Sequence, residues 1–209
     1  MTSLREAMEW RYATKKMDPS KPVDQKKVDR ILEAIRLTPS SSGLQPYHIF
    51  VISDKTLQAK IMLSARNQSQ VVDCSHLLVF AAWDKYTNRR IDDAYDLIHN
   101  ERGYVKPELE KYRESLKKRL PYMPPQVQSS HTAKQTYIAA GTAMIAAAME
   151  SVDATPIEGF DPKDVETILG LTDHKVVLLM PLGHRDDNDW MLKEKKVRKS
   201  LESLVTVIK

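Results

Sequence analysis

The sequence predicts one domain of the α+β or α/β class, with a single central sheet and helices around it. Three observations support this prediction. The chain has 209 residues, of which 42% are hydrophobic, and this suits one compact core spanning residues 1–209. Apolar residues recur at helical spacing in most segments, and they form short continuous runs, typical of buried strands, between those segments. No internal repeat, linker or low-complexity stretch divides the chain.

Helices and strands alternate in the first half of the chain. The predicted elements are, in order, helix Leu4–Arg11, helix Asp24–Leu37, strand Tyr47–Ser53, helix Lys55–Arg66 and strand Ser75–Trp83. Asp24 is the expected N-cap of the second helix, and Thr38-Pro39 is its expected end. The last strand contains the apolar run Leu77–Ala82, so it is expected to be buried on both faces.

The second half is dominated by one unusual helix. The predicted elements are helical pieces within Arg89–Lys118, a proline-rich break at Leu120–Pro125, helix Thr132–Val152, helix Asp161–Leu169, strand Lys175–Met180 and a strand-like tail at Leu204–Ile208. Thr132–Val152 contains seven alanines and is apolar nearly all round. In so small a chain we expect a second subunit to supply part of its burial.

Composition excludes several classes of function. The net charge is +4, but basic residues are interspersed with acidic ones, so nucleic-acid binding is not expected. No apolar run is long enough to cross a bilayer. Met1–Trp10 carries Arg5, Glu6 and Glu9, so it is not interpreted as a signal peptide. Cys74 is the single cysteine, and a cytoplasmic location is therefore the default expectation.

The familiar catalytic motifs are missing. The sequence has no GxGxxG, no P-loop and no GxSxG motif, and its six histidines lack the spacing of metal ligands, so no metal site is expected. Basic residues do occur near both ends, in Arg11–Lys15 and Lys196–Arg198. Either segment is compatible with a phosphate clamp or with an ordinary charged helix end. Three loops of unusual composition are equally compatible with ordinary turns: Thr38–His48, Asn67–Gln70 and Pro156–Phe160.

Taken together and in order, these segments resemble the nitroreductase family of FMN enzymes. The resemblance runs through Arg11–Lys15, Pro39–Ser42 with Gln45–His48, Asn67 with Asp73–His76, Ala133–Gln135, Pro156–Phe160, Pro181–His184 and Lys196–Arg198. Its most specific parts are the Ser-Ser-x-x-x-Gln-Pro loop and the Pro-Ile-Glu-Gly-Phe turn. It implies an α+β fold with a mainly antiparallel sheet flanked by helices, in an intertwined homodimer with two FMN sites at the subunit interface. The strand-like tail would embrace the partner subunit.

The resemblance also implies roles for individual residues. Arg11, Lys196 and Arg198 would hold the FMN phosphate, while Tyr12, Ala13 and Lys15 would line the ribityl chain and the ring edge. Pro39, Ser40 and Ser41 would come from the partner subunit, and Asn67 and Gln70 would lie at the pyrimidine edge. Pro156, Ile157, Glu158 and Gly159 would form the turn whose backbone faces flavin N5. Ala13 and Gln70 stand where relatives carry serine and lysine, so a hydroxyl contact and a charge are absent.

The implied reaction is a ping-pong transfer of hydride from NAD(P)H, through flavin N5, to a nitroaromatic, a quinone or a similar small acceptor. No catalytic side chain is obligatory, because the flavin supplies the chemistry. Ser42, Tyr112 and Tyr122 are the candidate substrate-side residues. One alternative keeps the cofactor but changes the reaction, to flavin fragmentation, dehalogenation or oxidation of peptide-bound heterocycles. The other is a basic, non-enzymatic binding protein.

Overall fold

The computed structural model describes residues 3–209 and is built around a four-stranded sheet in the order β1-β2-β4-β3. The strands are β1 Tyr47–Ile52, β2 His76–Trp83, β3 Asp153–Ala154 and β4 His174–Gly183. All three pairings are antiparallel, which decides between the two predicted classes in favour of α+β. The interior of β2 is buried on both faces, as its continuous apolar run predicts.

Helices cover both faces of the sheet. They are α1 Leu4–Trp10, α2 Gln25–Arg36, α3 Lys55–Ser64, α4 Gln70–Asp73, α5 Asn88–Arg102, α6 Pro107–Arg119, α7 Pro125–Met149, α8 Pro162–Ile168 and α9 Leu201–Leu204. The predicted N-cap of α2 is confirmed, because the Asp24 side chain accepts a hydrogen bond from the Lys26 amide. One hydrophobic cluster joins α2 and α7 to the sheet, and a second joins α3 and α8 to its other face.

Helix α7 begins seven residues earlier than predicted. The prolines before it were interpreted as a break, but Pro125 occupies the first turn, where a missing N–H costs nothing. The helix is apolar nearly all round, as expected, and the chain by itself does not bury it. Five of its large apolar side chains are more than a third exposed: Val127, Tyr137, Ile138, Ile145 and Met149. No described helix combines the length and hydropathy of a bilayer-spanning segment.

The tail predicted to be strand-like at Leu204–Ile208 forms no strand within the described chain. Leu204 ends the short helix α9, which Ser200 caps, and residues 205–209 have no regular secondary structure. Residues 205–209 are all exposed, and Ile208 is 92% exposed. A strand needs a neighbouring strand to pair with, and among the described residues the tail pairs with none. At the other terminus, Met1 and Thr2 of the Met1–Trp10 segment lie outside the described residues.

Candidate functional site

Three cations from opposite ends of the chain lie close together. Arg11 follows α1, and Lys196 and Arg198 lie in the irregular segment before α9. Burial and the charge of Arg198 both lower the pKa of Arg11. The pKa of Lys196 is lowered by burial, then by the charges of Arg198 and Arg11. Like charges this close repel one another, and a bound anion would relieve that repulsion.

The three cations are not equivalent as donors. The Lys196 ammonium donates to the carbonyl oxygens of Met8, Glu9 and Arg11, so it closes the C-terminal end of α1 and uses all three of its hydrogens. Arg11 donates one long hydrogen bond, of 3.4 Å, to the Ala154 carbonyl. Its Nε is buried and has no hydrogen-bond partner among residues 3–209. Arg11 and Arg198 therefore retain donors for a ligand, while Lys196 contributes charge.

A buried ion pair between Asp153 and Arg185 lies next to this cluster. Asp153, which is 2% exposed, accepts from Nε and Nη2 of Arg185 at 2.6–3.1 Å and from the Arg185 amide at 2.8 Å. The Thr14 hydroxyl also donates to Asp153, at 3.1 Å. The guanidinium of Arg185 stacks on the rings of Trp10, at 4.1 Å, and Tyr12, at 4.6 Å. The Arg11–Lys15 segment is thereby fixed to β3 and to the end of β4.

A second carboxylate holds the other side of the same segment. Asp189 is buried and accepts hydrogen bonds from the Tyr12 hydroxyl at 3.0 Å and from the Lys15 amide at 2.8 Å. Burial, followed by the hydrogen bond to Asp189, raises the pKa of Tyr12 to about 12. The Lys15 side chain is exposed and forms no ion pair within residues 3–209. A cavity of about 610 Å³ opens beside this segment; Tyr12, Ala13, Arg185, Lys196 and Arg198 are among its lining residues.

The Pro156–Gly159 turn is tied to its neighbours by several hydrogen bonds. Ile157 exchanges backbone hydrogen bonds with Leu179 of β4. The Tyr137 hydroxyl of α7 donates to Glu158 Oε1 at 2.5 Å and lies 3.2 Å from the Val177 carbonyl. Burial and this hydrogen bond raise the pKa of Tyr137 to about 12. The hydrogen bonds of the described chain include none donated by the amides of Glu158 or Gly159.

The segment after α3 packs against this turn. The Asp161 amide donates to the Ser64 carbonyl at 2.9 Å, and Gln68 Nε2 donates to the Gly159 carbonyl at 3.1 Å. Arg66 and Asn67 both have left-handed backbone conformations, with φ of 54° and 53°. They end α3 at Ser64, two residues before the predicted boundary. Asn67 is exposed, whereas Gln70, at the start of α4, is 4% exposed.

The Pro39–Ser42 loop is well built but lies apart from the cationic cluster. Ser40 Oγ accepts from the Gln45 amide, and the Ser41 amide donates to Gln135 Oε1, both at 2.8 Å. Neither Pro39, Ser40 nor Ser41 lines the cavity beside Tyr12. Within one chain, the loop and the clamp are therefore not brought together.

The three candidate substrate-side residues are only partly grouped. The hydroxyls of Ser42 and Tyr112 lie 2.9 Å apart, which joins the loop to α6. Tyr122 is 79% exposed, and no hydrogen bond holds its side chain within the described part of the chain. Residues 3–209 contain no group of three or more His, Cys, Asp and Glu side chains arranged for a metal ion.

Several residues that organise the site carried no sequence signal. Asp153 and Arg185 are separated by 32 positions, and Tyr12 and Asp189 by 177. Tyr137 lies within the predicted apolar helix Thr132–Val152, where the sequence gives its hydroxyl no partner. No motif joins such distant polar residues, so only the folded chain reveals these pairs.

Known proteins resemble this chain over most of its length. The model of the nitroreductase family matches residues 8–184. The oxygen-insensitive NAD(P)H nitroreductase of Salmonella typhimurium is 28% identical, over 95% of this chain and 96% of its own length. The major NAD(P)H-flavin oxidoreductase of Aliivibrio fischeri is also 28% identical, over 96% of each protein.

Solved structures share the fold at lower identity. An Exiguobacterium sibiricum protein assigned as a nitroreductase, solved in complex with FMN, has a TM-score of 0.84 and 19% identity to this chain. The superposition covers 100% of this chain and 98% of the other. The resemblance and the α+β fold inferred from the motifs are thus confirmed. Since the family model also matches most of the sequence, the chain belongs to the nitroreductase family.

Proposed function

We propose that this protein is an FMN-dependent oxidoreductase that transfers reducing equivalents from NAD(P)H to nitroaromatics, quinones or similar small acceptors. The observation that carries the proposal is the buried, unpartnered Nε of Arg11 within a cluster of three cations. A buried donor without an acceptor is costly, and a phosphate group relieves that cost. The relatives named for NAD(P)H and flavin activities support the same assignment.

The donor set fits FMN at both ends. At the phosphate end, Arg11 and Arg198 would donate to the phosphate oxygens, and Lys196 would add charge. At the ring end, the amides of Glu158 and Gly159 have no protein acceptor among the described residues, so they are free to donate to a ring nitrogen. Asn67 supplies an exposed amide group near the same turn, and the unpaired ammonium of Lys15 would stabilise negative charge on the reduced ring.

FMN held by these residues would supply the redox chemistry, with N5 as the position that takes up hydride. The chain's task is then to hold the ring and exclude water. Tyr137 fixes the Glu158 side chain, and the contact of Ile157 with β4 fixes the backbone, so the two free amides are presented from a rigid turn. No acid or base is required of these residues. Nicotinamide and acceptor would bind in turn over the same exposed face of the flavin ring. The reaction would therefore follow a ping-pong order.

The working unit in this proposal is a homodimer. Three features support it: the exposed apolar side chains of α7, the unpaired tail, and the absence of the Pro39–Ser41 loop from the cavity beside Tyr12. The loop would then complete the partner's cofactor site. Ser42 and Tyr112 would border the acceptor position, and Tyr122 would lie further out. A cytoplasmic location, expected from the single cysteine, belongs to the same proposal.

Flavin content and NAD(P)H oxidation test the proposal directly. Purified protein, supplied with FMN if necessary, is expected to be yellow and to oxidise NAD(P)H when menadione or a nitroaromatic is added. Arg198→Ala is expected to weaken FMN binding about tenfold or more, through loss of a charge-assisted hydrogen bond. Lys199→Ala removes the same charge from the neighbouring position and is the matched control. A protein that takes up no FMN would contradict the proposal.

A further inference from the structure

Arg66 is a cation placed directly against the turn proposed to face the flavin. Its Cδ, Nε and Cζ atoms all lie 3.6 Å from the point where a Cβ on Gly159 would be. The flat end of the side chain therefore stacks on the glycine. The Gln68–Gly159 and Asp161–Ser64 hydrogen bonds hold the two segments together, so the fold places the backbone of Arg66 beside the Gly159 turn.

The backbone at Arg66 is one that glycine would satisfy better. The residue follows the end of α3 with φ of 54°, in the left-handed position that commonly closes a helix. Glycine adopts this conformation without strain, whereas an arginine there is strained. Helix termination alone thus does not account for the residue type, and strain of this kind is concentrated at functional positions.

The guanidinium also lacks a partner. Arg66 forms no ion pair or side-chain hydrogen bond with any described residue. The nearest carboxylates in the two segments are already engaged: Glu158 accepts from Tyr137, and Asp161 accepts from the amides of Lys163 and Asp164. An exposed, positioned and unpaired guanidinium is a ready receptor for a carboxylate or another oxyanion.

We propose that Arg66 makes the active site selective for acceptors that carry a carboxylate or similar oxyanion near the group being reduced. The inference rests on the proposed function, because it places the acceptor over the turn at Gly159. The oxyanion would pair with the guanidinium, and the reducible group would lie over the exposed ring face. Arg66 is thus a specificity-determining residue, and the flavin chemistry does not depend on it.

The test compares one anionic and one neutral acceptor of the same shape. The kcat/KM for 4-nitrobenzoate is measured relative to that for 4-nitrobenzyl alcohol in the FMN-loaded protein and its variants. Arg66→Gln is expected to lower this ratio about tenfold, the effect of one charge-assisted hydrogen bond, and Arg66→Lys to restore part of it. Lys60→Ala, which removes an exposed cation from α3 two turns away, is expected to leave the ratio unchanged.

A binding measurement without turnover accompanies the kinetics. Calorimetric titration with benzoate is expected to give about tenfold weaker binding in Arg66→Gln than in the wild type. Arg66→Gly is expected to lose the same affinity while its melting temperature stays equal or rises, because glycine relieves the left-handed backbone. If the role of Arg66 were purely structural, the loss of benzoate affinity would be accompanied by a lower melting temperature.

Three results would overturn the assignment. One is an unchanged acceptor ratio in Arg66→Gln, and another is unchanged benzoate binding. The third is a rise in the KM of Arg66→Gln for NADPH relative to NADH, with the acceptor ratio unchanged. That result would mean that the guanidinium binds the 2′-phosphate of NADPH. Failure of the wild type to reduce either acceptor would contradict the proposed function instead, and the benzoate titration would still decide the role of Arg66.

Discussion

Asp153→Asn removes the charge from the ion pair that supports the proposed phosphate clamp. Asp153 is 2% exposed, and Arg185, its partner, keeps only 19% of its side chain accessible. The asparagine fits the same space, but it turns one acceptor into a donor that faces the Arg185 guanidinium. Breaking a buried ion pair from one side leaves the other charge uncompensated, which costs about 3–5 kcal/mol.

The expected loss is near the lower limit, about 3 kcal/mol, because the asparagine carbonyl still accepts one hydrogen bond. For a chain of this size that corresponds to a fall in melting temperature of roughly 6–12 °C. Thermal unfolding followed by circular dichroism measures it. FMN affinity should fall in parallel, since Thr14 and Arg185 anchor the Arg11–Lys15 segment through Asp153.

Asp93→Asn is the matched control. Asp93 pairs with Arg89 at 3.8 Å on the exposed face of α5, with side chains 67% and 89% accessible. Exposed pairs of this kind contribute at most about 1 kcal/mol, so its melting temperature should change by no more than about 2–4 °C. Equal small shifts in the two variants would refute the idea that the buried pair organises the site.

Three further predictions concern the Tyr137 hydroxyl, the Cys74 thiol and the pH dependence of stability. Tyr137→Phe removes the hydroxyl that holds Glu158, so FMN affinity should fall by about three- to tenfold, measured by flavin fluorescence. Cys74 is fully buried, and burial raises its pKa to about 12, so the native protein should react with Ellman's reagent only on unfolding. Stability should decline above pH about 9 in denaturant titrations. The unfolded thiol then loses its proton while the native one keeps it, and the phenols of Tyr12 and Tyr86, raised to about 12, act likewise above pH 10. A flat profile between pH 9 and 11 would contradict the last prediction.

Local features of the chain were predictable from sequence because local physics determines them. Asp24 caps α2 through its own side chain, and the apolar run of β2 leads to burial wherever the strand lies. The start of α7 was misplaced because the effect of a proline depends on its position. A proline inside a helix disrupts it, whereas Pro125 lies in the first turn of α7, where proline is favoured. The direction of strand pairing depends on contacts between distant segments, so the α+β class was settled only by the antiparallel register.

The candidate site was less predictable than the fold. Arg11 and Arg198 are separated by almost the whole chain, and no spacing rule links them. Only the resemblance to the nitroreductase family predicted that they share a site. The Asp153–Arg185 pair and the Arg66–Gly159 contact had no sequence signal, because each depends on tertiary packing. The tail was predicted as a strand from its apolar pattern, but a strand also requires a neighbour, which the single chain does not contain.

A comparison of FMN with riboflavin tests the central claim most directly. The two ligands share the ring and the ribityl chain and differ only in the phosphate that Arg11 and Arg198 are proposed to hold. Equilibrium titration is expected to show FMN binding at least about a hundredfold more tightly than riboflavin, as two charge-assisted contacts imply. Arg198→Ala should narrow that difference about tenfold while leaving riboflavin binding unchanged. Equal affinities for FMN and riboflavin in the wild type would contradict the account.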